Sequence, residues 1–204
     1  LVNFFSSNTG QSLNLVTNAD SARNTGFELE GLWLATDNLT VGGNFSITKT
    51  EYTSDVFVRI DDDPAHPASL FSGSEYDALF VTNADGSQLK KIPEEKATLW
   101  ATYDWQTRYG GFTFNGTYSY TGEYYDQGVE RDLDLIPDRF RVDLSATWRD
   151  VNKIWSVRLF VNNATDEANL RDLGSATEFS NWRLTGALLM PRVYGIDIRR
   201  DFGG

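Results

Sequence analysis

The stretch Leu39-Thr40-Val41-Gly42-Gly43-Asn44-Phe45-Ser46-Ile47-Thr48 decides the fold class. Leu39, Val41, Gly43, Phe45 and Ile47 fall on one side of an extended backbone, and Thr40, Gly42, Asn44, Ser46 and Thr48 on the other. Successive side chains of a strand point to opposite faces, so this period of two marks a sheet with two unlike surfaces. Working outward, Ala97, Leu99, Ala101, Tyr103 and Trp105 alternate with Thr98, Trp100, Thr102 and Asp104. Phe112, Phe114, Gly116, Tyr118 and Tyr120 alternate with Thr113, Asn115, Thr117 and Ser119. Phe140, Val142, Leu144, Ala146 and Trp148 do the same against Arg141, Asp143, Ser145 and Thr147. Trp155, Val157, Leu159 and Val161 oppose Ser156, Arg158 and Asn162, with Phe160 breaking the polar side. Tyr194, Ile196, Ile198 and Phe202 oppose Gly195, Asp197, Arg199 and Asp201, with Arg200 interrupting the apolar row. A further strand over roughly 24–35 sets Phe27, Leu29, Gly31 and Trp33 against Glu28 and Glu30, and residues 1–6 read as the tail of an eighth. No segment has helical periodicity. The chain is all-β.

The connections alternate between short and long. Thr36-Asp37-Asn38, Gln106–Gly110 and Arg149–Lys153 have the chemistry of tight turns. The others are long and rich in Asp, Gly, Ser and Pro, and the stretch 77–92 suggests a hairpin of its own around Asp85-Gly86. Antiparallel strands with short turns at one end and long loops at the other describe an outer-membrane barrel. Strands of about 10 residues fit a tilted crossing of the hydrocarbon layer. Aromatic residues gather near strand ends, with Trp33, Trp105, Trp148, Trp155 and Phe202 toward the short turns. Tyr52, Tyr118, Tyr120, Phe140 and Tyr194 lie toward the long loops. Two such girdles are expected where amphipathic rings sit between hydrocarbon and water, so the apolar face is expected to meet lipid.

The chain has 204 residues, 40% of them hydrophobic and 14% aromatic. Eighteen basic against 29 acidic residues give a net charge of −11, which argues against a nucleic-acid binder, since phosphate contacts need clustered Lys and Arg. Without cysteine there is no disulfide framework, thiolate nucleophile or Cys-based zinc site, and His66 alone supports neither a metal site nor a catalytic triad. No apolar run approaches the roughly 18 residues of a membrane-spanning helix. A chain opening at Leu1 is expected to be a processed product or a piece of something longer.

Little points to catalysis. Glu28 and Glu30 are expected to meet arginines on the same polar face, such as Arg141, Arg158 or Arg199, not to form an acid–base pair. Asp61-Asp62-Asp63 lacks the spacing and glycine of a calcium loop and reads as a solvated acidic loop. No enzyme activity, cofactor or metal site is expected. Tyr124, Tyr125, Arg131, Arg171, Trp182 and Arg183 lie in two long loops at one end of the barrel. Such side chains recognise ligands by stacking and bidentate hydrogen bonds, although packing of loop against loop also accounts for them.

Several strings then resemble one family. Asn18-Ala-Asp-Ser-Ala-Arg-Asn-Thr-Gly-Phe-Glu-Leu-Glu-Gly31 is similar to the NAG-x-A-x-x-x-G-x-E-L-E segment of TonB-dependent outer-membrane receptors. Asp37–Gly43 and Ile92–Leu99 resemble the strands that follow it. Asn162-Asn-Ala-Thr-Asp-Glu167 is similar to the family's N-L-T-D-E, and Met190–Phe202 to its closing strand, P-P-R-x-Y-G-x-x-L-x-Y-x-F. The resemblance implies that residues 1–204 are the C-terminal portion, about eight strands, of a plugged barrel of roughly 22. It implies short turns facing the periplasm, long loops facing outward, and no plug domain or TonB box within this chain. Tyr194, Ile196, Ile198 and Phe202 would then belong to a C-terminal signal read by the barrel-assembly machinery, although Gly203 and Gly204 follow where the family usually ends.

The expected function is that of part of an outer-membrane transporter of a Gram-negative bacterium, importing a scarce ligand such as a ferric siderophore or an oligosaccharide. Its expected partners are the rest of the receptor, TonB through that receptor, outer-membrane lipid, the assembly machinery and a small-molecule ligand. Two alternatives stand beside it: a stand-alone eight-stranded adhesin or structural barrel, and a soluble carbohydrate-binding β-barrel.

Overall fold

The structure of the protein, a computed structural model, describes residues 2–6, 11–15, 21–59, 81–126, 130, 132–174 and 185–202. In chain order the strands are β1 (Val2–Ser6), β2 (Gln11–Leu15), β3 (Ala22–Thr36), β4 (Leu39–Tyr52), β5 (Phe57–Arg59), β6 (Val81–Asn83), β7 (Glu95–Thr107), β8 (Gly110–Thr121), β9 (Tyr124–Tyr125), β10 (Leu135–Ile136), β11 (Arg139–Arg149), β12 (Trp155–Asn162), β13 (Leu170–Gly174), β14 (Thr185–Leu188) and β15 (Val193–Arg200). Among the described residues no helix is long and apolar enough to cross a membrane.

Seven of them form one antiparallel sheet in the order β15-β12-β11-β8-β7-β4-β3. Every step is between sequence neighbours in the wall, as a meander with tight turns requires. A single transverse row shows how the alternation is used. Trp33, Val41, Ala101, Gly116, Leu144, Val161 and Tyr194 lie opposite one another across all seven strands. One residue along, the row is Leu34, Thr40, Thr102, Asn115, Ser145, Phe160 and Gly195, and Thr102 donates to Asn115 Oδ1 at 2.8 Å. The apolar rows stay open to the surroundings, with Leu29, Trp33, Leu99, Leu159, Ile196 and Ile198 all exposed. A face of this composition, left uncovered, suits hydrocarbon.

The band has edges. On β3 and β4 the apolar side runs as far as the pair Phe27 and Ile47; the next pairs on that side are Thr25 with Lys49 and Arg23 with Glu51, the last bridged at 2.8 Å. Apolar residues from Leu39 to Ile47 cover about 27 Å of strand, or roughly 20 Å of height at the tilt of a barrel wall. At the short-turn end Trp105 and Phe112 pack at 5.6 Å between ring centroids. Arg200, which interrupts the apolar row of β15, lies over Trp155 at 5.2 Å and over Phe202 at 4.7 Å. A guanidinium on two rings belongs at a lipid–water boundary, so the apparent break in the pattern marks the lower edge of the band.

The other face carries two large aromatic rings, each set on a glycine. A Cβ on Gly42 would stand 2.5 Å from the ring of Trp100, and one on Gly195 would overlap the ring of Phe160. Glycine opposite an aromatic lets the ring lie flat on the neighbouring backbone. Phe160 thus leaves the polar pattern without opening it, and Arg158 covers it at 5.0 Å.

Three expectations are corrected. Residues 1–6 do contain a strand, but its described partner is β2, from Val2 opposite Leu15 to Ser6 opposite Gln11, and not the wall. Asp85-Gly86 makes a tight turn, Ser87 N donating to Ala84 O at 2.9 Å, while the hairpin of this connection pairs β5 with β6. Glu28 and Glu30 do not meet the arginines named above. Glu30 is separated from Arg141 by Asn44, Thr98 and Ser119, four strand spacings or about 19 Å. Those arginines take nearer carboxylates: Arg141 pairs with Asp143, Arg158 with Asp197 and Arg199 with Asp201.

Past β12 the chain turns on Asn163, which is buried and has φ 52°. Its amide donates to Asp143 Oδ1 at 2.9 Å, its Nδ2 donates to Glu167 O at 2.9 Å, and its Oδ1 accepts from Glu167 N at 3.1 Å. Asp166, with φ 61°, accepts from Arg192 N and bridges the Arg192 guanidinium at 3.2 Å. The string Asn162–Glu167 is therefore a knot that seats the start of β15 on β11 and β12. Asn163→Ala removes the side chain's bonds and places an alanine in the left-handed region, at an expected cost of about 3 kcal/mol. A fall in the urea midpoint of the refolded barrel measures it, and Asn163→Asp is expected to fall less.

Candidate functional site

Above the apolar band the three long connections of the wall converge: β4 to β7, β8 to β11, and β12 to β15. Lys91, in the first, is held at φ 61° with its amide donating to Tyr125 O at 2.8 Å, in the second. Its ammonium donates to Asp172 Oδ1 at 2.8 Å, in the third, and lies 3.1 Å from Asp126 Oδ1, in the second. Tyr124 joins the second connection to the third, its hydroxyl donating to Arg171 O at 2.9 Å. Arg139, the first residue of β11, lies 5.4 Å from the Tyr124 ring and reaches Leu170 O at 3.4 Å. Below them Asp126 N donates to Asp134 O at 2.8 Å, and Ile136 is fully buried. Local sequence explains the shape: Ile92-Pro93 after Lys91 keeps that segment extended, and an acidic one-turn helix over Asp132–Asp134 folds the second connection back on itself.

Burial and charge act in opposite senses here. Asp126 is 2% exposed, and burial pushes its carboxyl above the usual range, helped by the facing Asp172 carboxyl and opposed by Lys91. Asp172 is well exposed, and the Lys91 hydrogen bond holds its carboxyl below the usual range. Asp172 foremost keeps the Lys91 ammonium charged beyond its ordinary range.

Of the residues marked for ligand contact, Tyr124, Tyr125 and Arg171 come together, and Arg131, Trp182 and Arg183 lie outside the described residues, as do His66 and Asp61–Asp63. Tyr124 is 7% exposed and committed to its loop bonds. Arg171 keeps its side chain exposed. Tyr125 is half-buried, and burial first, then Glu130 and Glu123, push its phenol up. Both tyrosines line a cleft of about 590 Å³ beside Lys49, where Glu51, Glu95, Glu123 and Glu130 also stand. Carboxylates outnumber the lysine, so the cleft carries a negative potential and disfavours a bare anion. Tyr194, Ile196, Ile198 and Phe202 share the outward row of the edge strand β15 and its continuation, all of them exposed. Sequence reading missed Lys91, Asp126 and Asp172. A lysine beside Ile-Pro was the sole local signal.

The family model described as TonB dependent receptor-like, beta-barrel, matches residues 1–164. Among solved structures, the ferric yersiniabactin uptake receptor FyuA from Yersinia pestis is similar at 19% identity and a TM-score of 0.68, over 89% of this chain and 24% of that one. The siderophore receptor PiuA from Acinetobacter baumannii is similar at 20% identity and a TM-score of 0.62, over 86% of this chain and 21% of that one. The ferripyoverdine receptor of the outer membrane of Pseudomonas aeruginosa is similar at 16% identity and a TM-score of 0.57, over 89% of this chain and 20% of that one. The chain spans about a quarter or less of the length of each.

Tyr124→Phe keeps the ring beneath Arg139 and deletes only the two hydroxyl bonds, donated to Arg171 O at 2.9 Å and accepted from Arg139 at 3.4 Å, at about 1–2 kcal/mol. Tyr124→Ala empties the site, at about 3–5 kcal/mol. Limited proteolysis is expected to cut residues 122–138 of the alanine variant and to spare them in the phenylalanine variant, with the wall strands intact in both.

Proposed function

Because the chain belongs to the TonB-dependent receptor β-barrel family, whose members are outer-membrane barrels of Gram-negative bacteria, we propose that it forms wall and mouth of a receptor importing a scarce ligand. A ferric siderophore or a comparable iron chelate is the ligand class favoured, with an oligosaccharide as the other candidate. The observation that carries this reading is the family match over residues 1–164 on a meander whose short turns and long connections lie at opposite ends. The wall strands contribute lipid-facing surface and a polar lining. The outer connections contribute ligand contacts, with Arg171 and Tyr125 the described candidates and Arg131, Trp182 and Arg183 the others. Partners in this reading are the plug and remaining strands of the receptor, TonB acting through them, and the assembly machinery reading Tyr194, Ile196, Ile198 and Phe202. The segment carries no catalytic step. The open edges speak against a self-contained eight-stranded barrel: among the described residues β3 and β15 each have a neighbour on one side only.

Uptake of labelled ferric chelates by iron-starved cells, with and without the receptor, is the test. Loss of one chelate's uptake on deletion is expected, and Arg171→Ala is expected to weaken that uptake by about tenfold at unchanged surface level, the cost of one charge-assisted contact. Unchanged uptake of every chelate, with loss of an oligosaccharide's uptake instead, would overturn the iron assignment. Phe202→Ser is expected to lower the amount of receptor in the outer membrane without changing uptake per molecule.

A further inference from the structure

Arginines laid over aromatic rings recur in this chain, and most of them also spend their N–H groups. Arg158, over Phe160, pairs with Asp197 at 3.4 Å. Arg192, over Tyr194, bridges Asp166, and Arg139, over Tyr124, reaches Leu170 O. Arg108, over Tyr109, donates to that residue's hydroxyl. Arg200 differs: it has two rings, Trp155 and Phe202, and among the described residues no acceptor. The neighbouring carboxylates are engaged elsewhere, Asp201 with Arg199 at 2.9 Å and Asp150 with the amides of Asn152 and Trp155. Rings attract the charge of a guanidinium but accept none of its five in-plane donors. At the edge of an apolar band, donors left without acceptors are costly.

On the same outward face a groove of about 450 Å³ runs across β8, β11, β12 and β15, walled by Phe114, Leu144, Leu159, Val161 and Tyr194, with Ala146 the smallest side chain among them. Leu159 lies opposite Ile196 and Val161 opposite Tyr194, so the groove sits four to six residues along β15 from Arg200. That is roughly 13–20 Å of strand, or about 10–15 Å of height at the tilt of a barrel wall. One leaflet of hydrocarbon, half of a core about 30 Å thick, is about 15 Å deep. The guanidinium is therefore at headgroup level, and the groove lies where a chain hanging from that headgroup ends.

We propose that Arg200 and this groove form one binding site for an anionic phospholipid of the leaflet at the short-turn end. The guanidinium takes the headgroup phosphate through paired N–H bonds, and the groove takes an acyl chain. Trp155 and Phe202 hold the guanidinium in place beforehand, so little of its freedom is lost on binding. This rests on reading the apolar face of the wall as lipid-facing. Charge selects the headgroup: no carboxylate neutralises Arg200 among the described residues, so a lipid of net negative charge is favoured over one whose own cation offsets its phosphate. A free phosphate ion would use the guanidinium and gain nothing from the groove.

Native mass spectrometry of the whole receptor tests this, after the protein is stripped of lipid and returned to micelles holding equal amounts of phosphatidylglycerol and phosphatidylcholine. The wild type is expected to retain phosphatidylglycerol in preference. Arg200→Gln is expected to weaken that retention by about tenfold and to erase the preference, the effect of losing one charge-assisted contact. Arg200→Lys keeps the charge without the paired geometry and is expected to fall between the two. Ala146→Trp fills the groove and is expected to weaken retention of both lipids while leaving the preference in place. Equal retention of the two lipids by the wild type, or unchanged retention in Arg200→Gln, would overturn the site. Displacement of phosphatidylglycerol by inorganic phosphate would overturn the lipid as its occupant. Should Arg200→Gln not assemble, Ala146→Trp decides alone: unchanged retention of phosphatidylglycerol overturns the proposal, and its loss supports it. Retention of neither lipid by the wild type would instead count against the lipid-facing reading itself, whereas retention of both alike removes only the site. No imported ligand is present, so failure of the iron assignment leaves this result readable.

Discussion

Hydrocarbon offers a backbone amide nothing to bond with, and that constraint shapes everything else in this chain. An unpaired N–H or C=O in the bilayer costs several kcal/mol, so a segment that crosses by strands must pass every polar backbone group to a neighbour. Between its edge strands β15 and β3 the seven-stranded ladder does so without a crossover, and among the described residues only the outer sides of those two strands lack a neighbour. Once pairing is obligatory, side chains are free to be apolar on one face and small and polar on the other. The wall needs no core of its own. Its largest rings sit in the open or lie flat on glycine, and among the described residues the largest fully buried side chains, Ile136 and Asp126, are found in the connections above it.

The wall was legible because period two is local. Leu39 to Thr48 reveals its two faces without knowledge of any neighbour, and register follows when each strand carries the same pattern. Exceptions were harder. Phe160 and Arg200 looked like faults in the alternation, and their sense depends on Gly195, Trp155 and Phe202, none adjacent in sequence to its partner. Glu28 and Glu30 were assigned to arginines on the correct face but on strands too distant, since alternation specifies the side of a sheet and not the spacing across it.

The mouth was less legible for a related reason. Tyr124 and Arg171 were singled out by residue type, and the structure does bring their segments together, through the Arg171 carbonyl and not its guanidinium. Lys91, Asp126 and Asp172 have no shared motif, and Lys91 is separated from Asp172 by 81 positions. Asn163 stood inside a recognisable string, but its role arises from a left-handed backbone and bonds to Asp143 and Glu167. Such knots are written in three dimensions.

β4 continues to Tyr52, whereas β7 begins at Glu95 opposite Ile47. The upper end of the β3–β4 hairpin is held by its own ladder, by the Arg23–Glu51 bridge and by Tyr52 N bonding to Ser87 O at 3.0 Å. It continues past the apolar band as a charged fin whose shape is set by backbone pairing. A surface already fixed by its own ladder has little ordering entropy to lose when another molecule touches it.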